Sequence, residues 1–405
     1  MHILLISDNF YPETNAPASR GYEHCKIWVK QGHKVTVLTS FPNYPKGKIF
    51  SGYKNKLRQQ EKIDGINVIR VWTYMAPNAG IWKRMLDQIS FMISSFVNGI
   101  FLKNIDIVIG TSPHLFTPLS AMFLAKIKQK FFMLELRDLW PDSMLAVGIN
   151  NYRNLYKIAK YLEKKLYLTA DKIIPVTYSF KEYLINLGIP DNKIKVVMNG
   201  VDTEFFNFKK NKYIKRSSKI FKISYIGTIG LAHSIQTIIE AAKILNNRHS
   251  ELKILFQIIG DGAEKEKILK EAQGNSNVKV LPTITKDQVI EYLDRTDAGV
   301  IHLKKNDLYK TVVPSKMFEY MAMGVPILHG VSGESLQIIN KYNLGLHFES
   351  ESPEDLCSAI LELYNNKSLY NKMSENCVKA SKMFNRKILA LKMLEEIKKF
   401  EKKIR

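Results

Sequence analysis

The sequence predicts an α/β protein made of two successive parallel-sheet halves. Short apolar runs alternate with helix-period stretches along all 405 residues, the alternation restarts after residue 220, and glycine-bearing turns follow strand-like runs in the second half. Strand–helix alternation requires crossover connections, hence parallel sheets covered by helices. An apolar fraction of 45% allows full cores, and the length suits roughly two or three domains.

In the first half, the pattern predicts strands at Ile3–Ser7, Lys34–Thr39, Asn67–Trp72, Ile105–Gly110, Phe131–Leu136, Lys172–Val176 and Lys195–Val197. Helices are expected between them at Arg20–Gln31, Met85–Lys103, Phe116–Lys128 and Tyr152–Thr169. In the second half, strands are expected at Lys222–Ile226, Lys253–Ile259, Val278–Leu281, Ala298–Leu303 and Val325–His329, with helices at Ile235–Leu245, Glu264–Gln273, Lys286–Asp294 and Ser315–Met323. A boundary between Asn199 and Phe221 is expected, because Phe208–Lys222 holds seven lysines and arginines, no acidic residue and no clear period. That segment reads as an exposed linker. The expected domains are 1–200 and 201–384, followed by a terminal helix, 385–405, whose Leu391, Leu394, Ile397 and Phe400 mark one apolar face.

The formal net charge of +22 and a pI near 9.6 point to an acidic partner surface: nucleic acid, anionic lipid or a phosphorylated substrate. Cys25, Cys357 and Cys377 lack paired spacing, which argues for a reducing compartment and against a disulfide framework or zinc site. The start, Met1 to Asp8, reads as a first strand rather than a signal peptide. The longest apolar segment, Ile89–Leu102, is interrupted by Ser94, Ser95 and Asn98, and a bilayer needs about 20 apolar residues. A cytoplasmic protein, soluble or peripherally bound, is expected.

The segment Pro314–Pro326 carries the most chemistry. Pro314 suits the opening position of a helix and Gly324 its stop. Lys316 and Glu319, three apart, should share one face. A first-turn lysine opposes the helix dipole unless an anion docks there. A carboxylate one turn deeper would accept sugar hydroxyls, so phosphate plus ribose is the implied footprint. Two further turns follow strands: Gly227-Thr228-Ile229-Gly230 and Gly260-Asp261-Gly262. Glycine lets a phosphate approach the backbone, and open α/β sheets bind ligands at the carboxyl ends of their strands. Neither turn matches the dinucleotide fingerprint or the P-loop.

With these residues in view, the chain resembles the retaining glycosyltransferases of family four over nearly its whole length. Gly32-His33-Lys34-Val35-Thr36-Val37 is similar to the family's G-H-x-V-x-V, and Asn199-Gly200-Val201-Asp202 with Phe205 to its N-G-V-D-x-x-x-F. Tyr225-Ile226-Gly227, Gly260-Asp261-Gly262 and Glu319-Tyr320-Met321-Ala322 with Gly324 and Pro326 resemble its donor-domain landmarks. Phe41-Pro42-Asn43-Tyr44-Pro45 and Arg137-Asp138-Leu139-Trp140-Pro141-Asp142-Ser143 resemble the fucosamine-transferase-like branch that builds O-antigen and capsule sugars.

The resemblance implies the GT-B architecture, two Rossmann-like parallel-sheet domains facing a central cleft. It implies transfer of a sugar, including N-acetylated amino sugars, from a nucleotide-sugar co-substrate, UDP-linked, to a polyprenyl-diphosphate-linked or saccharide acceptor. Retention is implied, with no cofactor and no metal. Gly227, Thr228, Gly230, Gly260, Asp261, Gly262, Pro314, Ser315, Lys316 and Glu319 would hold the donor, with Glu319 on the ribose. Asp138, Arg137 and Lys316 would be catalytic, and Asn15, Arg20 and Trp140 would face the acceptor. A strand-end cap is the other role open to Asp138.

The chain departs from the family pattern in three places. Thr311 stands where the first of two glutamates eight apart is usual. Thr228 and His233 stand where the family's diphosphate-gripping Arg and Lys fall, which leaves Lys316 as the replacement. Arg137 stands near the family's acceptor-domain histidine.

Ala79–Met85, with Trp82 beside Lys83 and Arg84, and Phe123–Phe132, with Lys126, Lys128 and Lys130, are basic–aromatic patches. Core packing accounts for most of their apolar residues on this reading; the excess charge suits peripheral contact with an anionic membrane. No recognition motif supports nucleic acid. Two other readings stay open: a UDP-sugar epimerase of the same architecture, and a nonenzymatic membrane- or polymer-binding protein.

Overall fold

The computed structural model describes residues 1–44, 46–75, 81–143, 153–207 and 220–404. Most of the expected linker, together with Pro45, Ala79 and Gly80, lies outside them. The chain forms two compact units, residues 1–198 with 386–405, and residues 199–385.

The first unit holds a seven-stranded sheet: β1 (His2–Ile6), β2 (Lys34–Ser40), β3 (Arg58–Ile63), β4 (Ile66–Val71), β5 (Ile107–Thr111), β6 (Phe131–Leu136) and β7 (Lys172–Pro175), in the order β3-β4-β2-β1-β5-β6-β7. All neighbours pair in parallel except the edge hairpin β3–β4. The parallel-sheet expectation holds, with one antiparallel hairpin added at the edge. That hairpin turns on Asp64-Gly65, both at positive φ, the two-residue turn that suits its twist. The expected strand Lys195–Val197 reduces to a bridge of Ile194 to Ile173, because β7 is a short edge.

Helices α1 (Ala16–Lys30), α2 (Ile81–Ile100), α3 (Phe116–Lys128), α4 (Arg153–Thr169) and α5 (Tyr178–Asn186) accompany this sheet. The terminal helix (Arg386–Ile404) packs on α1. Leu389, Met393, Leu394 and Ile397 are buried in the core formed by Ile3, Leu5, Val35 and Trp28, and the Trp28 indole donates to the Ala390 carbonyl at 3.0 Å.

The second unit holds six parallel strands: β8 (Phe221–Ile226), β9 (Ile254–Ile259), β10 (Val278–Leu281), β11 (Ala298–His302), β12 (Ile327–Gly330) and β13 (Gly345–His347), ordered β10-β9-β8-β11-β12-β13. Its helices are α6 (Gln236–Arg248), α7 (Lys265–Ala272), α8 (Lys286–Asp294), α9 (Lys316–Ala322), α10 (Glu334–Tyr342), α11 (Pro353–Asn365) and α12 (Lys367–Ser381); the terminal helix is α13. The strand order reverses direction at β8 and β11, which places the loops after β8 and β9 at a topological switch point.

Candidate active site

The β8 and β9 strands end in the two glycine turns, and these are laced together. The Gly227 N–H donates to the Ile259 carbonyl, the Ile229 N–H to the Asp261 carbonyl and the Glu264 N–H to the Ile229 carbonyl, at 2.9–3.0 Å. The approach leaves no space for side chains. A Cβ on Gly260 (φ +154°) would stand 1.8 Å from the Gly227 carbonyl oxygen, and one on Gly262 2.3 Å from that of Ile229. Gly260→Ala should therefore lower stability by about 3 kcal/mol. Thermal unfolding checks this, and an unchanged midpoint would contradict it.

Helix α9 delivers Lys316 to the same place. It ends in a Schellman motif: the Gly324 N–H (φ +60°) donates to the Met321 carbonyl and the Val325 N–H to that of Tyr320. Its start differs from the expected one. Pro314 precedes the cap residue, Ser315, whose side chain makes no capping bond, and Lys316 is the first helical residue. With seven residues the helix offers only a small dipole, so the lysine itself supplies the positive charge.

The Lys316 ammonium lies 3.6 Å from the centroid of the Tyr225 ring, buried and without a hydrogen-bond partner among the described residues. A Cβ on Gly227 would come within 2.8 Å of it. Burial lowers its pKa to about 7, while the Glu319 charge, on the same face, pulls upward. Tyr225 is fixed by donating its hydroxyl to the Thr228 carbonyl at 2.6 Å. His233 does not replace a lost cation: burial, then the Lys316 charge, lowers its pKa to about 3 and keeps it neutral. Thr311 donates its hydroxyl to the Leu308 carbonyl at 2.6 Å, and Thr228 is exposed.

In the first unit a charged cluster lies beyond β6. Arg20 is 1% exposed; its Nε donates to Glu135 at 2.7 Å, Nη1 to the Met198 carbonyl at 2.7 Å and Nη2 to that of Val197 at 3.0 Å. Arg20 is thus buried in an ion pair with Glu135 and bonded to two backbone carbonyls. Asn15 accepts from the Ala18 N–H at 2.9 Å and caps α1. Arg137 keeps Nε and Nη1 buried without a hydrogen-bond partner among the described residues, and burial lowers its pKa to about 10, with Glu135 pulling upward and Arg20 downward.

Burial raises Asp138 to about 6, against the hydrogen bonds it accepts from Ser143 and the Leu139 backbone. These bonds order the loop after β6. Asp138 and Trp140 line a small cavity of about 10 Å³ with Ser112 and His114.

The sequence reading missed two groups here. Glu13 accepts from the Asn43 and Tyr44 N–H groups at 2.8 Å and is raised by burial to about 7. His114 meets Asp8 at 3.1 Å. Each is a lone polar residue in a loop after a strand, with no local motif to announce it. Among the described residues no group of three or more His, Cys, Asp or Glu is placed to hold a metal ion.

Strand-end glycine turns and a buried cation mark this α/β unit, and comparison with known proteins makes the class specific. Residues 21–205 match Glycosyltransferase Family 4 and residues 206–380 match Glycosyl transferases group 1. The chain belongs to these glycosyltransferases, and its two parallel-sheet units, apart from the antiparallel edge hairpin, are those of the GT-B fold. WcaI of Escherichia coli K12, named for colanic acid biosynthesis, is 25% identical over 340 residues, 80% of this chain and 82% of the relative. Among solved structures, sucrose-phosphate synthase of Thermosynechococcus elongatus superposes with a TM-score of 0.73 at 13% identity, over 98% of each chain. Anabaena HepE, solved with UDP-glucose, gives 0.71 at 11% identity, over 98% of this chain and all of the other. At these identities the structural likeness concerns the fold alone.

Proposed function

We propose that the protein moves a sugar, including an N-acetylated amino sugar, from a UDP-linked donor to a polyprenyl-diphosphate-linked or saccharide acceptor. Transfer proceeds with retention and without a metal, in assembly of a bacterial surface polysaccharide of the O-antigen or capsule kind. The observation that carries this reading is the buried ammonium of Lys316 beside the Gly227 turn, without a hydrogen-bond partner among the described residues. A desolvated cation gains most from an anion of matching placement, and the donor diphosphate is that anion.

Ser315, Pro314 and the backbone of Gly227, Thr228 and Gly230 line the diphosphate on this reading. Gly260, Asp261 and Gly262 keep the two turns in contact, and Glu319 accepts the ribose hydroxyls. As the bond from the anomeric carbon to the diphosphate oxygen breaks, negative charge grows on that oxygen, where Lys316 stabilises it. The acceptor oxygen bonds the same carbon on the same face, and its proton leaves to the diphosphate or to Asp138. With a pKa of about 6, Asp138 is mostly ionised at neutral pH and able to accept it. Arg137 and Trp140 serve the acceptor side, and Asn15 supports them by holding the start of α1.

The test is a panel of UDP-sugars, each with and without a polyprenyl-diphosphate-linked acceptor. Acceptor-dependent UDP release is expected. A sugar altered without acceptor would replace transfer by epimerisation, and no nucleotide binding across the panel would sink both.

A further inference from the structure

The first unit leaves one large apolar surface open. Helix α2 presents Trp82, Leu86, Ile93, Val97 and Ile100 at intervals of four, seven, four and three, the repeat of a single helix face, and Phe101 continues it. Leu86, Ile93 and Val97 are 54%, 55% and 46% exposed and Phe101 is 69% exposed. The opposite face of α2 is the packed one: Phe91 is buried, the Ser95 hydroxyl meets that of Ser120 at 2.8 Å, and Gly99 seats against Leu124. Next to it, α3 exposes Phe123 and Ile127, one turn apart. Core packing therefore accounts for one side of α2 and leaves the other unexplained.

The charge around this face selects its occupant. Lys83, Arg84, Lys103, Lys126, Lys128 and Lys130 belong to these two helices and their ends, against the single carboxylate Asp87. Lys103, Lys128 and Lys130 line an open hollow of about 470 Å³ with Ile100 and Phe101, and no acidic residue lines it. Lys128 anchors the end of α2 there, donating to the carbonyls of Ile100 and Leu102 at 2.8 and 2.7 Å. Large apolar side chains ringed by cations, with Trp82 near one end, form an interfacial helix face. No helix among the described residues is long and apolar enough to cross a membrane.

We infer that the exposed face of α2 with the adjoining end of α3 docks on an anionic lipid bilayer, apolar side chains entering the headgroup boundary and the lysines meeting lipid phosphates. A second copy of the chain would gain from the apolar stripe but would bring the same cations against these. The surface belongs to the first unit and the donor turns to the second, so the inference stands or falls independently of the donor reading.

Flotation of the full chain with vesicles of phosphatidylcholine, with and without phosphatidylglycerol, tests it. Phosphatidylglycerol should raise the bound fraction roughly tenfold, and high salt should reverse the gain. Ile93→Asp with Val97→Asp should abolish binding, and Lys103→Glu with Lys130→Glu should remove the preference for anionic lipid, while UDP affinity and the unfolding midpoint stay within error. Ile93 and Val97 are exposed, so their replacement leaves the core intact, and the charge variant supplies a second reading that leaves the stripe intact. Binding unaffected by either double variant would overturn the inference. So would a dimer in sedimentation that Ile93→Asp with Val97→Asp splits, or retention on nucleic acid instead of vesicles.

Discussion

Lys316→Ala should weaken UDP binding by roughly 10- to 100-fold, the effect of losing a charge-assisted bond to an anion, while Thr311→Ala changes it little. The contrast follows from what each side chain already does. Thr311 spends its hydroxyl on the Leu308 carbonyl, whereas the Lys316 ammonium has no hydrogen-bond partner among the described residues and rests on the face of Tyr225. Removing the lysine also removes a destabilising feature of the unliganded protein. Its folded pKa of about 7 lies below the ordinary 10.5, so between those values the unfolded chain binds more protons. This residue's contribution to stability therefore rises with pH from about 7 to 10.5 and is smallest below 7. The alanine variant should be at least as stable as wild type near neutral pH. Titration calorimetry with UDP reads the affinity, and equal, negligible effects of the two substitutions would refute the assignment.

Glu135→Ala should lower the stability of the first unit by about 3–5 kcal/mol, the usual cost of breaking one side of a buried ion pair. Burial pushes the Glu135 carboxyl upward, but Arg20 and Arg137 overcome that and hold it below the usual range. Without it the buried guanidinium of Arg20 keeps two carbonyls and loses its counter-charge. The first unfolding midpoint should fall by roughly 10 °C. Pairing the change with Arg20→Met should recover part of the loss, because one of the two buried guanidinium groups left without the Glu135 counter-charge is then removed. A single variant within 2 °C of wild type, on the order of the scatter for a neutral surface change, would contradict this account. Since Glu135 is depressed in the folded state, its contribution is present above about pH 4.5 and lost as the solution is acidified.

Parts of the fold were legible because one signal sufficed. Strands such as Phe131–Leu136 and Val278–Leu281 are short apolar runs between breakers, and their limits coincide with the observed β6 and β10. The edge strand β3, Arg-Gln-Gln-Glu-Lys-Ile, carries almost no apolar residue, because an edge facing solvent needs none. Its one sequence mark was Asp64-Gly65, a hairpin turn that reads only beside its partner strand. Helices α11 and α12 were likewise left out of the strand-and-helix alternation, although Ser352-Pro353 and Asn366 begin them with ordinary caps.

The site was partly legible for a related reason. The glycine turns and the Lys316–Glu319 spacing are local. The burial of Lys316 depends on Tyr225, far upstream in sequence, and the role of Arg20 on Glu135 and the carbonyls of residues 197 and 198. The resemblance implied an acceptor-side Arg20, while its ion pair with Glu135 comes from packing that no local motif announces. The departures at Thr228 and His233 acquire a physical sense here, since an exposed threonine and a neutral histidine leave the cation's task to α9.

The central claim is that the Lys316 ammonium meets the donor diphosphate, and proton linkage tests it most directly. At pH 8 the free lysine, with a pKa of about 7, is mostly neutral, and an anion beside it restores the charged form. Calorimetry of UDP binding in two buffers of different ionisation enthalpy should show uptake approaching one proton at pH 8, little uptake at pH 6, and none in Lys316→Met. Binding of UDP to the wild type at pH 8 with no proton uptake, or with uptake that survives in Lys316→Met, would contradict the account.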